Sequence, residues 1–191
     1  MPFTTNSLFH QLQAEREESE QLLRNILPEP IAKRMKAGEN GIADHRPDAT
    51  VLVSDLVGFT TLSFHIGLIQ AVHFLDEIFS AFDELTKKYG LENIKTIGDA
   101  CTVAGALPLP RPEHARAIAE LALDMQAKIG SLNHEYSISI HLCIGICTGP
   151  VVAGVIGRKK FAYDLWGDAV NLACRLESIA DAGSIIVAAS T

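Results

Sequence analysis

The sequence predicts an α+β fold, a mixed or antiparallel sheet laid out as a βαββαβ unit, covered by helices and preceded by an N-terminal helix. Three observations carry this. Apolar residues recur at helical spacing over 68–85 and again over about 113–129, they alternate with other residues over 138–146, and Gly98-Asp99 separates two short strand-like runs. With 191 residues, 48% of them hydrophobic, the chain holds enough material for one packed domain and an accessory segment.

Residues 6–27 are polar and helix-prone, with Leu8, Leu12, Leu22 and Ile26 on the a and d positions of a heptad frame and Glu15 and Ser19 on the same seam. Two polar members in three heptads make a weak coiled coil. Pro28 and Pro30 interrupt that helix, and Gly38 and Gly41 loosen the chain beyond it, so a boundary is expected within 38–47. This leaves 1–43 as a helical coiled-coil segment and linker and 44–191 as the main domain.

In the main domain, Val51–Val53 reads as a short buried strand ending at Asp55, followed by Gly58-Phe59-Thr60 and a helix start. A core-facing helix with apolar residues at 68, 71, 72, 75, 78, 79, 82 and 85 stops at Gly90. Strands over 93–97 and 101–106 join at Gly98-Asp99, a turn pair suited to a hairpin. A second helix follows, with Ala115, Ile118, Ala122, Met125 and Ile129 along one stripe. Then Ile138, Ile140, Leu142, Ile144 and Ile146 alternate as a strand with one core face. A further strand over 149–157, a helix over about 168–180 and a last strand over 184–189 complete the chain. The order is that of the ferredoxin-like split βαβ unit.

Composition excludes several classes of function. The formal charge of −7 is opposite to the basic face of a nucleic-acid binder, so no nucleic-acid partner is expected. No apolar run approaches the roughly 20 residues of a membrane-spanning helix, and the N-terminus lacks a signal peptide's apolar core, which points to the cytoplasm. Cys101, Cys143, Cys147 and Cys174 show no CxxC pairing and are expected as buried thiols; the seven histidines lack zinc-site spacing.

Two aspartates stand at strand ends, Asp55 after the first strand and Asp99 in the hairpin turn. In a βαβ-hairpin unit such carboxylates can converge on one hard cation, or can simply form turns. The glycine at 58 and the helix start beyond it suit backbone amides approaching phosphate, and equally an ordinary turn. Asn171 and Arg175, four residues apart, share a helix face that could grip a ribose oxygen and a phosphate or could be a solvated flank. Lys95 and Asp164 are ambiguous on their own.

Taken together, VLVSDLVGFT at 51–60, NIKTIGDA at 93–100, GICTGPVVAGVIG at 145–157 and FAYDLWGDAVNLACRLES at 161–178 closely resemble the class III nucleotidyl cyclases. The segment LLRNILPEPIAKRMKAGE resembles the signalling helix and linker that precede such domains, which implies an upstream sensor or membrane domain. The resemblance implies that Asp55, Asp99 and the backbone carbonyl of Leu56 bind two divalent ions, magnesium or manganese. It implies that the backbone of Gly58, Phe59 and Thr60 holds phosphate, that Lys95 and Asp164 read the purine, and that Asn171 and Arg175 position the ribose and stabilise the reacting phosphate. Adenine offers an acceptor at N1 and a donor at N6, which suit an ammonium and a carboxylate. Guanylyl members carry glutamate in place of Lys95 and a small thiol or hydroxyl residue in place of Asp164, so the implied substrate is ATP. In the family, metal and nucleotide residues come from different subunits, so this chain is expected to act as a homodimer with two shared sites. Family domains continue into a helix and hairpin that bear a phosphate-contacting lysine, so a C-terminal part is expected to be missing after Thr191. The competing readings are a catalytically silent cyclase-like module, a guanylyl cyclase, and a diguanylate cyclase, whose GGDEF-like turn is replaced here by TIGDA.

Overall fold

A computed structural model describes residues 9–10, 13, 15–16, 19–23, 25–157 and 159–191. The seam positions Leu8 and Leu12 lie outside the described residues, while Leu22 and Ile26 are exposed. The chain divides into two compact units, Met1–Ile42 with Val155–Tyr163, and Ala43–Gly154 with Asp164–Thr191.

In the first unit the prolines expected to break a helix begin one. Pro28 is the N-cap of α1 (Glu29–Lys36) and Pro30 sits in its first turn, where a missing amide costs no helical hydrogen bond. Glu29 in the first turn and Lys33, Arg34 and Lys36 in the last complement the helix dipole. Leu27, Ile31 and Ala32 are buried.

The remaining elements follow in the order β1 (Ala43–Val57), α2 (Phe59–Ile66), α3 (Leu68–Tyr89), β2 (Glu92–Ile97), β3 (Ala100–Gly105), α4 (His114–Tyr136), β4 (His141–Ile156), β5 (Ala162–Trp166), α5 (Asp168–Ser178) and β6 (Ile185–Val187). The strand order is β2-β3-β1-β4-β5, with β6 parallel to β4; β1 pairs antiparallel with β3 and β4. The stretch β2-β3-β1-β4 is the expected ferredoxin-like arrangement.

Alternation along each strand gives the sheet two different faces. Leu52, Leu56, Val103, Leu142, Ile144 and Ile146 join Ile78, Phe82, Ile118, Leu121 and Met125 of α3 and α4 in the main core. The intervening positions, among them Val51, Val53, Asp55, Cys143 and Gly145, face the other way, toward the side on which α5 packs against β1 and β4.

The structure departs from the sequence reading at β5, which was not expected, and at β1 and β4. Strand β1 spans Ala43–Val57 rather than three residues, because its polar first part pairs with Val151–Gly154 of β4. The two strands expected over 138–146 and 149–157 are one, β4. Its Pro150 lies opposite Pro47 and Asp48, where the register shifts between Arg46 and Ala49 and the missing amide is tolerated as at other bulges. Finally, residues 138–140 precede the strand, since α4 runs to Tyr136 and the Asn133 amide then bonds both Ile140 backbone groups, at 2.7 and 3.0 Å.

Candidate active site

Asp55 lies near the end of β1, on the face opposite the main core, and Asp99 in the turn between β2 and β3. Ser54 is paired with Cys101, so the strand pairing carries Asp55 alongside the start of β3, next to the turn. Burial, and after it the negative charge of Asp99, pushes the Asp55 carboxyl above its ordinary range. Glu177 of α5 is raised in turn, by burial first and then by Asp55. Among the described residues neither Asp55 nor Asp99 takes part in an ion pair. Two neighbouring carboxylates with no cation of the protein beside them, one partly desolvated, fit a hard divalent metal ion. Leu56, whose carbonyl was the third expected ligand, is buried in the same strand.

Beyond Val57 the chain turns at Gly58, whose φ of 90° is left-handed, and whose absent Cβ would lie 3.2 Å from the Ser139 carbonyl oxygen. Both features favour glycine. Helix α2 starts at Phe59 with no side-chain cap, so its first-turn amides, including those of Phe59 and Thr60, are not taken up by a capping side chain.

Lys95 on β2 and Asp164 on β5 meet, with Nζ donating to Oδ2 at 2.8 Å. Asp164 Oδ1 also accepts the backbone N–H of Leu165, at 2.7 Å, which fixes the carboxylate's orientation. The side chains are 36% and 24% exposed, so the pair remains open to a ligand.

Asn171 and Arg175 are exposed on α5, and among the described residues neither side chain forms a hydrogen bond or ion pair. At about 100° per residue, Arg175 projects roughly 160° around the helix from Glu177, while Asn171 lies within about 40° of Arg175. The helix therefore turns Glu177 toward Asp55 of its own chain and Asn171 and Arg175 away from it. The structure thus brings together Asp55 with Asp99, and Lys95 with Asp164, and separates Arg175 from its own chain's aspartates.

Glu177 and Gly145 were not singled out from the sequence. Both stand inside motifs that carried the resemblance, and Gly145 interrupts an apolar strand opposite Ala173 and Glu177 of α5. Cys174, expected to be buried, is exposed because it lies on the outward flank of α5; Cys101, Cys143 and Cys147 are buried. Among the described residues no helix is long and apolar enough to cross a membrane.

The profile of the adenylate and guanylate cyclase catalytic domain matches residues 43–191. An adenylate cyclase of Mycobacterium tuberculosis is 47% identical over 177 residues, covering 92% of this chain and 40% of its own length. A membrane guanylyl cyclase of Dictyostelium discoideum is 39% identical over 94% of this chain and 12% of its own. The crystal structure of the adenylyl cyclase CyaB from P. aeruginosa superposes with a TM-score of 0.74 at 26% identity, over 78% of this chain and 79% of that one. The chain thus spans well under half the length of the curated relatives it resembles.

Proposed function

Since the chain belongs to the adenylate and guanylate cyclase catalytic domain family, we propose that it is an adenylyl cyclase domain, converting ATP to 3′,5′-cyclic AMP and pyrophosphate at two sites shared across a homodimer. The observation that carries the choice of ATP is the contact of Lys95 with Asp164 at 2.8 Å. It puts a donor and an acceptor side by side, both partly exposed. Adenine presents the complementary acceptor and donor at N1 and N6, and guanine reverses them.

In the reaction the ribose 3′-oxygen attacks the α-phosphorus, the bond to the β-phosphate bridging oxygen breaks, and pyrophosphate carries away the electron pair while the hydroxyl proton is lost. Magnesium or manganese ions, held by Asp55, Asp99 and the Leu56 carbonyl, would acidify that hydroxyl and offset the phosphate charge. The first-turn amides of α2 at Phe59 and Thr60, following Gly58, receive phosphate oxygens. Asn171 holds the ribose so that its 3′-oxygen faces phosphorus, a matter of orientation rather than bond chemistry. Arg175 donates to the oxygens that gain charge as the α-phosphorus is attacked, where a positioned donor is worth about 3 to 4 kcal/mol.

The opposed directions of Glu177 and Arg175 on α5 favour a site in which Arg175 serves the aspartates of the other subunit. Exposed Ile97, Leu172 and Ile179 provide apolar surface for such an association. We place the catalytic domain in the cytoplasm, with residues 1–43 as the signalling segment that joins it to an upstream sensor or membrane domain.

Cyclic nucleotide formation from ATP and from GTP, with manganese present, tests the proposal. It predicts cyclic AMP from ATP with GTP poorly used; preference for GTP, or no product from a folded dimer, would overturn it.

A further inference from the structure

Strand β4 and helix α5 approach more closely than side chains ordinarily permit. A Cβ on Gly145 would lie 2.1 Å from the Ala173 carbonyl oxygen, 2.4 Å from the Glu177 amide nitrogen and 3.1 Å from the Glu177 Cα. These are backbone atoms, so no rotamer change makes room. One turn nearer the start of α5 the fit is looser, with a Cβ on Gly149 lying 3.3 Å from the Ala169 Cβ. Ala169 and Ala173 are both buried, with Ala173 completely so. The helix therefore rests on strand backbone at Gly145, its tightest approach to β4, and packs also against β1 and β6.

Nothing in the main core requires this contact. Ile144 and Ile146, on either side of Gly145, point to the opposite face and join the cluster under α3 and α4. A side chain at 145 would leave that cluster in place and act on α5 alone. Asp55 on β1 and Asp99 in the β2–β3 turn are held by strand pairing of β1 with β3 and β4 and of β2 with β3, in which α5 has no part. Among the described residues no hydrogen bond or ion pair holds the Asn171 or Arg175 side chain, so both follow α5.

We infer that Gly145 is a positioning residue for the cyclase reaction, holding α5 at the depth from which Asn171 and Arg175 reach the nucleotide at the partner subunit's metal site. The inference rests on the shared-site reading above. A misplacement on the scale of one ångström costs roughly 10- to 100-fold when it falls on groups that must meet a transition state. The loss should appear in kcat, with KM for ATP changing far less, because Lys95, Asp164 and the α2 amides are not carried by α5.

The test uses the full chain and mixtures of variants. Gly145→Ala, shown to be folded and dimeric, should lose roughly 10- to 100-fold in kcat. Mixed with Asp55→Ala, which supplies an intact α5, it should regain activity; mixed with Arg175→Ala it should not. Gly149→Ala, with its milder contact, should show the same pattern more weakly, and it carries the test if Gly145→Ala fails to fold. Near-normal kcat in folded Gly145→Ala, or recovery with Arg175→Ala rather than Asp55→Ala, would overturn the inference. The mixture of Asp55→Ala with Arg175→Ala is the control. If it shows no recovery, the shared-site reading falls, and the role of Gly145 is judged by the separation of kcat from KM alone.

Discussion

Lys95 and Asp164 meet at 2.8 Å although their strands stand at opposite ends of the sheet order β2-β3-β1-β4-β5. Four strand spacings of about 4.8 Å would separate them by roughly 19 Å in a flat sheet, so the contact depends on the sheet curling. A partly exposed ion pair of this kind adds only about 0 to 1 kcal/mol to stability. Its value lies in setting a donor beside an acceptor. Lys95→Glu combined with Asp164→Cys should therefore lower kcat/KM for ATP at least about tenfold, a difference of roughly 1.4 kcal/mol, with the melting temperature within a few degrees of wild type. Unchanged ATP kinetics would remove these residues as the readers of the base.

Asp55→Ala and Asp99→Ala should abolish turnover while leaving the fold intact or slightly more stable. Each removes a carboxylate from a like-charged pair, of which Asp55 is the partly desolvated member. Circular dichroism and thermal unfolding beside the activity assay would check this. Near-normal activity in either folded variant contradicts the metal assignment.

A divalent ion should stabilise the wild-type protein by offsetting that repulsion, since a ligand bound only by the folded state raises its stability. Thermal unfolding with and without manganese should show an upward shift of a few degrees that Asp55→Asn and Asp99→Asn lose. Chelation should stop turnover, and added magnesium or manganese should restore it. A shift of equal size in both variants would mean that the ion binds elsewhere.

The fold class was readable because helices α3 and α4 and strand β4 carry strong apolar periodicity. Their ends were less so. The alternation that ends at Ile146 reads as one strand and 149–157 as another, and only the pairing of both with β1, across the bulge at Pro47-Asp48, makes them the single strand β4. Strand β5 is five residues long, too short for its alternation to stand out. For the site, residue types and motif order indicated which side chains to examine. No spacing could have indicated that Lys95 and Asp164 touch, because that depends on sheet curl, or that Glu177 and Arg175 point to different sides of α5 relative to Asp55. Gly145 was hidden for a related reason: a glycine in a strand announces a close approach but not what approaches.

Glu92, the first residue of β2, gives a test of stability apart from the site. Burial raises its carboxyl to about 7, from an ordinary 4.5. Between those values the folded chain keeps a proton that the unfolded chain releases, so stability falls as pH rises from 4.5 to 7 and levels off beyond. Glu92→Gln should remove this dependence and, at pH 8, be more stable than wild type by roughly 1 to 3 kcal/mol. Denaturant unfolding at pH 5 and pH 8 would reveal it. Parallel behaviour of the two proteins across that range would contradict the assignment.

The division of one site between two chains is tested most directly by mixing Asp55→Ala with Arg175→Ala, each inactive alone. In a mixed dimer one site collects both defects, and the other takes its aspartates from one chain and its arginine from the other. With complete exchange half the dimers are mixed and each has one working site, so activity should recover to about a quarter of wild type. Wild-type activity per chain should also rise with protein concentration until dimerisation saturates. No recovery in a fully exchanged mixture, together with wild-type activity independent of concentration, would show that each site is built within a single chain.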